Sequence, residues 1–247
     1  MVRERFPNGS GAMIPGYSDP MGAGTGDTAA VRTVPADHPG VNELFALLAY
    51  GEVAAFYRLT DEARMAPDLR GRINMARMAA AEMGHYGLLH HTLEARGVDV
   101  LSAMVRYAPA LENYHRLTMP STWLEALVKT YVGDAMAADL YLALAGSLPE
   151  EIAEVVRAVL AETVHSQFVV AEVRSAVNSS GRQRSRLALW SRRLLGEAVT
   201  QAQFVLADHD ELVDLVLAGS SGLGQMTDFF GRMQRTHDDR MRNLGLA

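Results

Sequence analysis

Residues 79–89, AAAEMGHYGLL, place two ionisable side chains inside a run of small and apolar residues. Glu82 and His85 are three residues apart, so they lie on one face of a helix, one turn from each other. Burial of such groups is unfavourable unless other groups compensate for them. The stretch therefore predicts a buried helix whose polar side chains need partners elsewhere in the chain. Its small residues, Ala79–Ala81 and Gly84, also predict close approach of neighbouring helices.

A second stretch, LAETVHSQFV at residues 160–169, repeats the pattern of residues 79–88. Its Glu162 and His165 have the same Glu-x-x-His spacing, again inside an apolar run. The repeat predicts two similar helices, each of which directs one carboxylate and one imidazole to the same side.

A shorter similarity relates YGEVAA at 50–55 to VGDAMAA at 132–138, and it aligns Glu52 with Asp134. From this acid to the next Glu-x-x-His glutamate there are 30 residues in the first half of the chain and 28 in the second. The two halves therefore predict two similar helical hairpins related by a pseudo-twofold axis.

Helical periodicity continues through the chain from about residue 40, and alternating strand-like runs are missing. A connection of about 25 residues with Pro109 and Pro120 separates the second and third helices. The predicted helices cover 41–65, 69–96, 122–146, 149–177, 183–218 with a break near Asp208, and 223–243. Short, long and short links between the first four predict an all-α fold, a ferritin-like four-helix bundle with one long crossover plus two additional C-terminal helices.

The N-terminal segment differs in composition from the rest. Residues 1–36 are rich in Gly, Pro, Ser and Thr, which predicts a flexible tail before a helical domain at 37–247. GAGTGD at 22–27 is not interpreted as a phosphate loop, because it follows no strand, opens no helix and lacks the lysine. The last helix carries Phe229, Phe230, Met233 and Met241, which predicts packing on the bundle or on a second subunit as a homodimer.

Each of the four long helices carries an acid on its apolar face, about 12–13 residues from the helix ends. At about 1.5 Å per residue, these side chains would meet in one layer of an antiparallel bundle. Four carboxylates and two neutral imidazoles carry a charge that two divalent cations neutralise, and donors without sulfur suit iron or manganese. One acid from each of two helices plus Glu-x-x-His from each of the others is the di-iron carboxylate arrangement. The predicted ligands are Glu52, Glu82, His85, Asp134, Glu162 and His165.

Two alternatives concern the same residue types. The six groups could satisfy one another as buried ion pairs, but four acids against two weak bases leave an excess of negative charge. A third Glu-x-x-His copy, Glu112–His115, lies in the proline-flanked connection and interrupts no apolar face. It is therefore not counted among the ligands.

Composition excludes several classes of protein. The net charge of −6 argues against a surface coated in positive charge for nucleic acids, although a local basic patch stays open. No cysteine is present, which excludes disulfides and thiolate metal sites. No apolar run reaches the ~18 residues of a membrane span, and no signal peptide is evident, so we expect a cytoplasmic protein. Arginine greatly outnumbers lysine, with Lys129 the one lysine among 23 basic residues, and this excess is interpreted as compositional bias.

The motifs LLAYGE, MAAAEMGH, WLEALVKTYVGD and AETVH resemble the ferritin-like superfamily and, within it, an actinobacterial MiaE-like group. That group is related to tRNA hydroxylases that act on isopentenyl-modified adenosine. The resemblance spans about residues 40–245 and implies a non-haem di-iron monooxygenase with the six ligands named above, two iron ions and O₂ as co-substrate. Asp134 departs from the tRNA hydroxylases, which have Glu there, and the shorter side chain changes the metal distance or the coordination mode.

Further candidates surround this centre. Tyr131 lies one turn before Asp134, and Tyr86 follows His85, so either tyrosine could support the metal chemistry; the alternative is a core tyrosine with a satisfied hydroxyl. Six arginines beside Trp190 could dock tRNA phosphates, with an aromatic near the groove, or form a solvated helix face. These are Arg174, Arg182, Arg184, Arg186, Arg192 and Arg193.

The leading hypothesis is an O₂-dependent hydroxylase that needs an electron donor protein or reductant. A ferroxidase or iron-binding protein without an organic substrate is the first alternative. A metal-free helical interaction protein with a vestigial site is the second.

Overall fold

The computed structural model describes residues 33–145, 148–160, 166–218 and 223–247; the side chains of 134, 140–145, 166 and 223–229 are outside this description. None of the described residues lies in a strand. The helices are α1 Pro39–Glu62, followed by a 3₁₀ turn at Ala63–Met65, α2 Leu69–Ala95, α3 Val100–Val105, α4 Ala108–Leu117, α5 Trp123–Ala145, α6 Glu150–Leu160, α7 Ser166–Ser179, α8 Gly181–Asp208, α9 Asp210–Ala218 and α10 Leu223–Leu244.

The first four long helices form the predicted bundle. Helices α1 and α2 pack along each other as a hairpin, α5 packs on α6 and α7, and α6 also contacts α2. Helices α6 and α7 represent the fourth predicted helix, of which residues 161–165 lie outside the described ranges. Helices α8 and α10 then pack on α5 and α7, and α9 packs on α1. The all-α, ferritin-like arrangement with additional C-terminal helices is thereby confirmed.

Local sequence signals set the ends of α2, the helix that carries Glu82 and His85. The carboxylate of Asp68 accepts a hydrogen bond from the backbone N–H of Gly71 at 2.8 Å and caps the N-terminus. The C-terminus is followed by Gly97 at φ +74°, a left-handed conformation that glycine adopts without penalty. The predicted break near Asp208 is also confirmed, because α8 ends there and α9 begins at Asp210.

The connection between the hairpins is more helical than the sequence suggests. It contains α3 and α4, and Pro109 stands in the first turn of α4. Proline is compatible with that position, because the first turn leaves its backbone nitrogen without a helical partner in any case. This difference matters for function, since α4 lines the cavity described below.

The bundle has two apolar cores with a polar layer between them. The first contains Val41 and Leu44–Ala49 of α1 and Leu89 and Leu93 of α2. The second contains Leu59 of α1 and Met75, Met78 and Ala79 of α2. Glu52, Glu82 and His85 therefore lie in the interval between the two cores, as the depth argument predicts.

The C-terminal helix packs on the bundle within one chain. Met233 and Met241 are buried in the second core, and Phe230 packs against it. At the other end, Val34 is buried in the first core, and the carbonyl of Ala36 accepts a hydrogen bond from Arg96 at 2.7 Å. Residues 34 and 36, which precede the predicted start of the helical domain at 37, therefore also contact it.

The small residues of α2 do not all lie against a neighbouring helix. Ala80 and Gly84 are exposed, and a Cβ built on Gly84 would meet no atom within 4 Å, so the predicted close helix approach at these residues is wrong. Ala79, by contrast, is buried.

Among the described residues, no helix combines the length and the apolar character needed to cross a membrane.

Candidate metal centre

Three of the six predicted ligands come together in the polar layer. One donor atom each from Glu52, Glu82 and His85 can be chosen so that all lie within 4.8 Å of one another. His85 Nδ1 is 3.4 Å from Glu52 Oε2 and 3.5 Å from Glu82 Oε2. The side chains are 12–18% exposed. Two helices thus present one imidazole between two largely buried carboxylates.

Burial and mutual hydrogen bonds shift the pKa values of all three groups in this cluster. Burial raises the pKa of Glu52 well above its ordinary value, against the opposing effect of its hydrogen bond with His85. Burial also disfavours ionisation of Glu82, but hydrogen bonds with His85 and Glu52 lower its pKa. Hydrogen bonds to both carboxylates raise the pKa of His85 to about 10. At neutral pH the three groups therefore hold protons at Glu52 and His85, at the positions where a cation would bind.

The side chains of the other three predicted ligands lie outside the described part of the structure. Asp134 is on α5, but its side chain lies outside the described set. Glu162 and His165 fall in 161–165, also outside the described residues. The assignment of these three as ligands stays a prediction. It is supported by their alignment with the three side chains that the structure brings together.

The donor set suits a hard or borderline cation. Carboxylate oxygens with imidazole nitrogen and no sulfur are the ligands of iron and manganese sites in helical bundles. With Glu52 protonated, Glu82 and His85 form an ion pair, so the three groups compensate one another when no cation is bound. Loss of the protons from Glu52 and His85 makes the same donors available to a divalent metal.

A cavity of about 460 Å³ opens beside this cluster. Its volume is within the range of small-molecule binding sites. The wall includes Glu52, Glu82 and His85 together with Gly133 and Ala135, which flank Asp134 on α5. Most of the remaining wall is apolar, with Leu48, Met78, Leu111, Val159, Leu160 and Val169 among its residues. A molecule in this cavity would lie against the predicted metal layer.

The two candidate tyrosines occupy different places. Tyr131 lines the cavity, and its hydroxyl accepts a hydrogen bond from Asn243 Nδ2 at 2.8 Å. Tyr86 packs against the first core, with its ring 5.5 Å from that of His90. Tyr131 is therefore the one of the pair that a bound molecule could contact.

A cluster of polar side chains at the cavity was not predicted from the sequence. Arg58 Nη1 donates to Glu62 Oε2 and to Thr130 Oγ1, both at 2.9 Å, and Lys129 Nζ lies 3.8 Å from Glu62 Oε1. His115 of α4 lines the same cavity. The sequence contained one signal for this cluster. Lys129 lies within the buried stretch WLEALVKTYVGD, and amino-acid composition alone does not explain a lysine there.

The third Glu-x-x-His copy does not act as a unit. Glu112 accepts a hydrogen bond from the Tyr50 hydroxyl at 2.7 Å, whereas His115 lines the cavity. Within the described part of the chain, the metal-type cluster contains neither residue.

The arginine stripe is exposed, but its aromatic neighbour is not. Trp190 is 9% exposed and donates from Nε1 to the carbonyl of Glu125 at 3.0 Å. The indole is therefore held inside the fold, and docking of tRNA on the arginines stays a prediction. Arg186 pairs with Glu125 at 2.9 Å, and Arg193 donates to the Leu117 carbonyl at 2.6 Å. Arg174, Arg182, Arg184 and Arg192 are exposed on α7 and α8.

Comparison with known proteins adds one finding. The model of a family described as a ferritin-like domain of actinomycetes matches residues 36–219. The match covers the four bundle helices and includes all six predicted ligands. No curated protein sequence matches the chain.

Proposed function

Because this chain belongs to the ferritin-like domain family of actinomycetes, we propose that it is a non-haem di-iron oxidoreductase. The observation that carries the proposal is the placement of Glu52, Glu82 and His85 donors within 4.8 Å, on the wall of a cavity large enough for an organic molecule. The pseudo-twofold repeat adds Asp134, Glu162 and His165 as the second half of the centre.

The reaction we propose is O₂-dependent hydroxylation of a C–H bond. Two iron ions bound in the layer would supply the redox chemistry that activates O₂. One oxygen atom enters the substrate and the other leaves as water, so the reaction takes two electrons from a donor protein or a reductant and two protons from solvent. The chain's own part is to hold the substrate in the cavity, exclude bulk water with the apolar wall and keep the carboxylates in place.

The cavity favours this reaction over iron handling alone. A ferroxidase needs a path for iron ions but no apolar space beside its centre. Here the apolar residues Leu111, Val159 and Val169 line the space next to Glu82 and His85. These apolar side chains offer no ligand atoms to a hydrated iron ion, but they suit an organic substrate.

The substrate implied by the MiaE-like resemblance is an isopentenyl-modified adenosine in tRNA. Four exposed arginines of α7 and α8 are available in this proposal for phosphate contacts. Nucleoside mass spectrometry of tRNA from cells with and without the gene tests this substrate. A hydroxylated nucleoside that disappears on deletion supports it, and unchanged nucleosides exclude tRNA as the substrate.

The hydroxylase proposal itself is tested with ¹⁸O₂. Iron-loaded protein with a chemical reductant and a candidate apolar substrate should incorporate one labelled atom into product. E82Q should abolish incorporation, and E94Q, an exposed acid of the same helix, should leave it unchanged. O₂ uptake that oxidises iron without any labelled product would instead favour the ferroxidase alternative.

A further inference from the structure

The cavity has a second polar region that the metal centre does not use. Lys129 lines the cavity and is only 2% exposed. Within the described part of the chain, its ammonium has one carboxylate nearby, with Nζ 3.8 Å from Glu62 Oε1. The centroid of the Tyr114 ring is 5.8 Å from Nζ. A lysine ammonium has three N–H donors, and the 3.8 Å separation is too long for a normal hydrogen bond.

The carboxylate beside Lys129 is shared with another cation. Arg58 Nη1 donates to Glu62 Oε2 at 2.9 Å, so the closer partner of this carboxylate is Arg58. Both Glu62 and Lys129 are buried. A buried ammonium with one long ion pair is only partly compensated, which favours binding of a further negative group.

His115 offers a second polar atom on the same wall. Its Nδ1 is buried and has no hydrogen-bond partner among the described residues. Burial, reinforced by Arg58 and Lys129, lowers the pKa of His115 to about 2, so the ring is neutral. A neutral imidazole with the proton on Nδ1 is a hydrogen-bond donor. Both residues line the same cavity, so an acceptor group that contacts both would satisfy the ammonium of Lys129 and the imidazole of His115.

The distance along the bundle relates this wall to the metal layer. Lys129 precedes Asp134 by five residues on α5, which corresponds to about 7.5 Å along the helix axis. The cavity that contains both levels is lined mainly by apolar residues. A bound molecule that reaches both would therefore be polar at one end and apolar along its length.

We propose that the cavity binds an apolar carboxylic acid, with its carboxylate at Lys129 and His115 and its hydrocarbon part directed toward Glu52, Glu82 and His85. A carboxylate carries one negative charge and matches one ammonium, whereas a phosphate dianion would leave excess negative charge next to Glu62. That this acid, instead of the tRNA nucleoside that the resemblance implies, is the molecule hydroxylated rests on the proposed hydroxylase function; its binding is a property of the cavity alone.

Calorimetry on the full chain tests the binding, with decanoate, decanol and decylamine as probes of one length and different charge. Decanoate should bind at least tenfold more tightly than decanol or decylamine. K129M should lose this preference for decanoate. R64M, which removes an exposed cation of the 3₁₀ turn after α1, should keep it. Equal binding of decanoate and decanol by the native chain, or an unchanged preference in K129M, would overturn the proposal.

A second measurement needs no variant. Lys129 is the only lysine, so protein labelled with ¹⁵N-lysine gives one side-chain signal by NMR. Burial, together with Arg58, lowers the pKa of this amine to about 7. Among the described side chains, the charged or titratable groups near it are Arg58, Glu62, Tyr114 and His115. Decanoate should shift the signal and raise this pKa, whereas decanol should do neither; an unchanged signal with saturating decanoate would contradict the assignment.

The two proposals fail separately. Metal-free protein that still binds decanoate through Lys129, but never takes up iron, supports the carboxylate site and excludes the di-iron function. Iron-loaded protein without a preference for decanoate excludes the carboxylate site and leaves the metal centre standing. Label from ¹⁸O₂ in a hydroxylated decanoate, lost in K129M, would support both.

Discussion

His85 Nδ1 on α2 lies 3.4 Å from Glu52 Oε2 on α1, at the level where the two apolar cores of the bundle separate. The contact joins the two helices of the first hairpin through a histidine that also approaches Glu82 at 3.5 Å. Each of the three side chains thus serves as a partner for the others in the absence of metal. The cost of burying them is reduced, and their donor atoms already lie close together.

Metal affinity should increase with pH. Burial raises the pKa of Glu52, and hydrogen bonds to the carboxylates raise the pKa of His85 to about 10, so both groups carry protons near neutrality. A divalent cation must displace these protons, which weakens binding as the pH falls. Each displaced proton should change the affinity by about tenfold per pH unit in this range.

Calorimetric titration with Mn(II) at about pH 6 and pH 8, in buffers of different ionisation enthalpy, measures both the affinity and the protons released. The expected result is tighter binding at the higher pH with net proton release. Equal affinity at both values without proton release would show that the protonated cluster is not where the metal binds.

Glu62 should be important for stability because it compensates two buried cations. E62Q leaves Arg58 and Lys129 without this carboxylate and should lower the free energy of unfolding by about 3–5 kcal/mol. In the double variant E62Q/K129M the uncompensated ammonium is gone, so the loss should be smaller than the sum of the two single losses.

Urea unfolding of the four proteins in this cycle provides the test. D61N, at an exposed acid next to Glu62, is the matched control and should change stability by less than about 0.5 kcal/mol. Additive losses in the double variant would mean that Lys129 and Glu62 do not interact.

The sequence contains good signals for helix ends and for the polar layer, because these depend on local chemistry. Gly97 and the segment around Asp208 terminate helices through backbone preferences of nearby residues. Glu82 and His85 interrupt an apolar face, which is visible within one helical turn. These features could be predicted without knowledge of the packing.

The polar wall of the cavity could not be predicted in this way. It combines Arg58 of α1, His115 of α4 and Lys129 of α5, which are distant in sequence and line one cavity only through tertiary packing. Pro109 added to the difficulty, because a proline suggests an irregular connection yet here occupies a first helical turn. The environment of Trp190 is a further example, because the exposed arginines beside it in sequence do not reveal that its indole is buried and bonded to the Glu125 carbonyl.

Two glycines should respond oppositely to alanine. Gly84 lies inside α2 with no atom within 4 Å of a built Cβ, so G84A should stabilise the protein by about 0.5–1 kcal/mol through helix propensity. At Gly40 the Cβ would be 2.3 Å from the backbone oxygen of Glu211, and G40A should destabilise by at least about 1 kcal/mol. Thermal unfolding distinguishes the two. Destabilisation by G84A would mean that another surface packs against this face of α2.

Metal should stabilise the native chain but not a chain that lacks one ligand. At a free Mn(II) concentration of about 100 Kd, binding adds about 2.7 kcal/mol, which for a protein of this size raises Tm by roughly 5–10 °C. E82Q replaces a ligand with a nearly isosteric amide and should lose this increase. E94Q removes an acid of α2 that is 59% exposed and pairs with His90, and should retain it. The same Tm increase in E82Q as in the native chain would place the metal elsewhere.

The measurement that tests the central claim most directly is the amount of metal bound per chain. Anaerobic titration with Fe(II), followed by desalting and elemental analysis, should give about two iron ions per native chain and a clear loss of iron in a variant with both E82Q and H85A. A native chain that retains no iron after loading, and whose unfolding temperature is the same with and without a chelator, would contradict the assignment of Glu52, Glu82 and His85 to a metal centre.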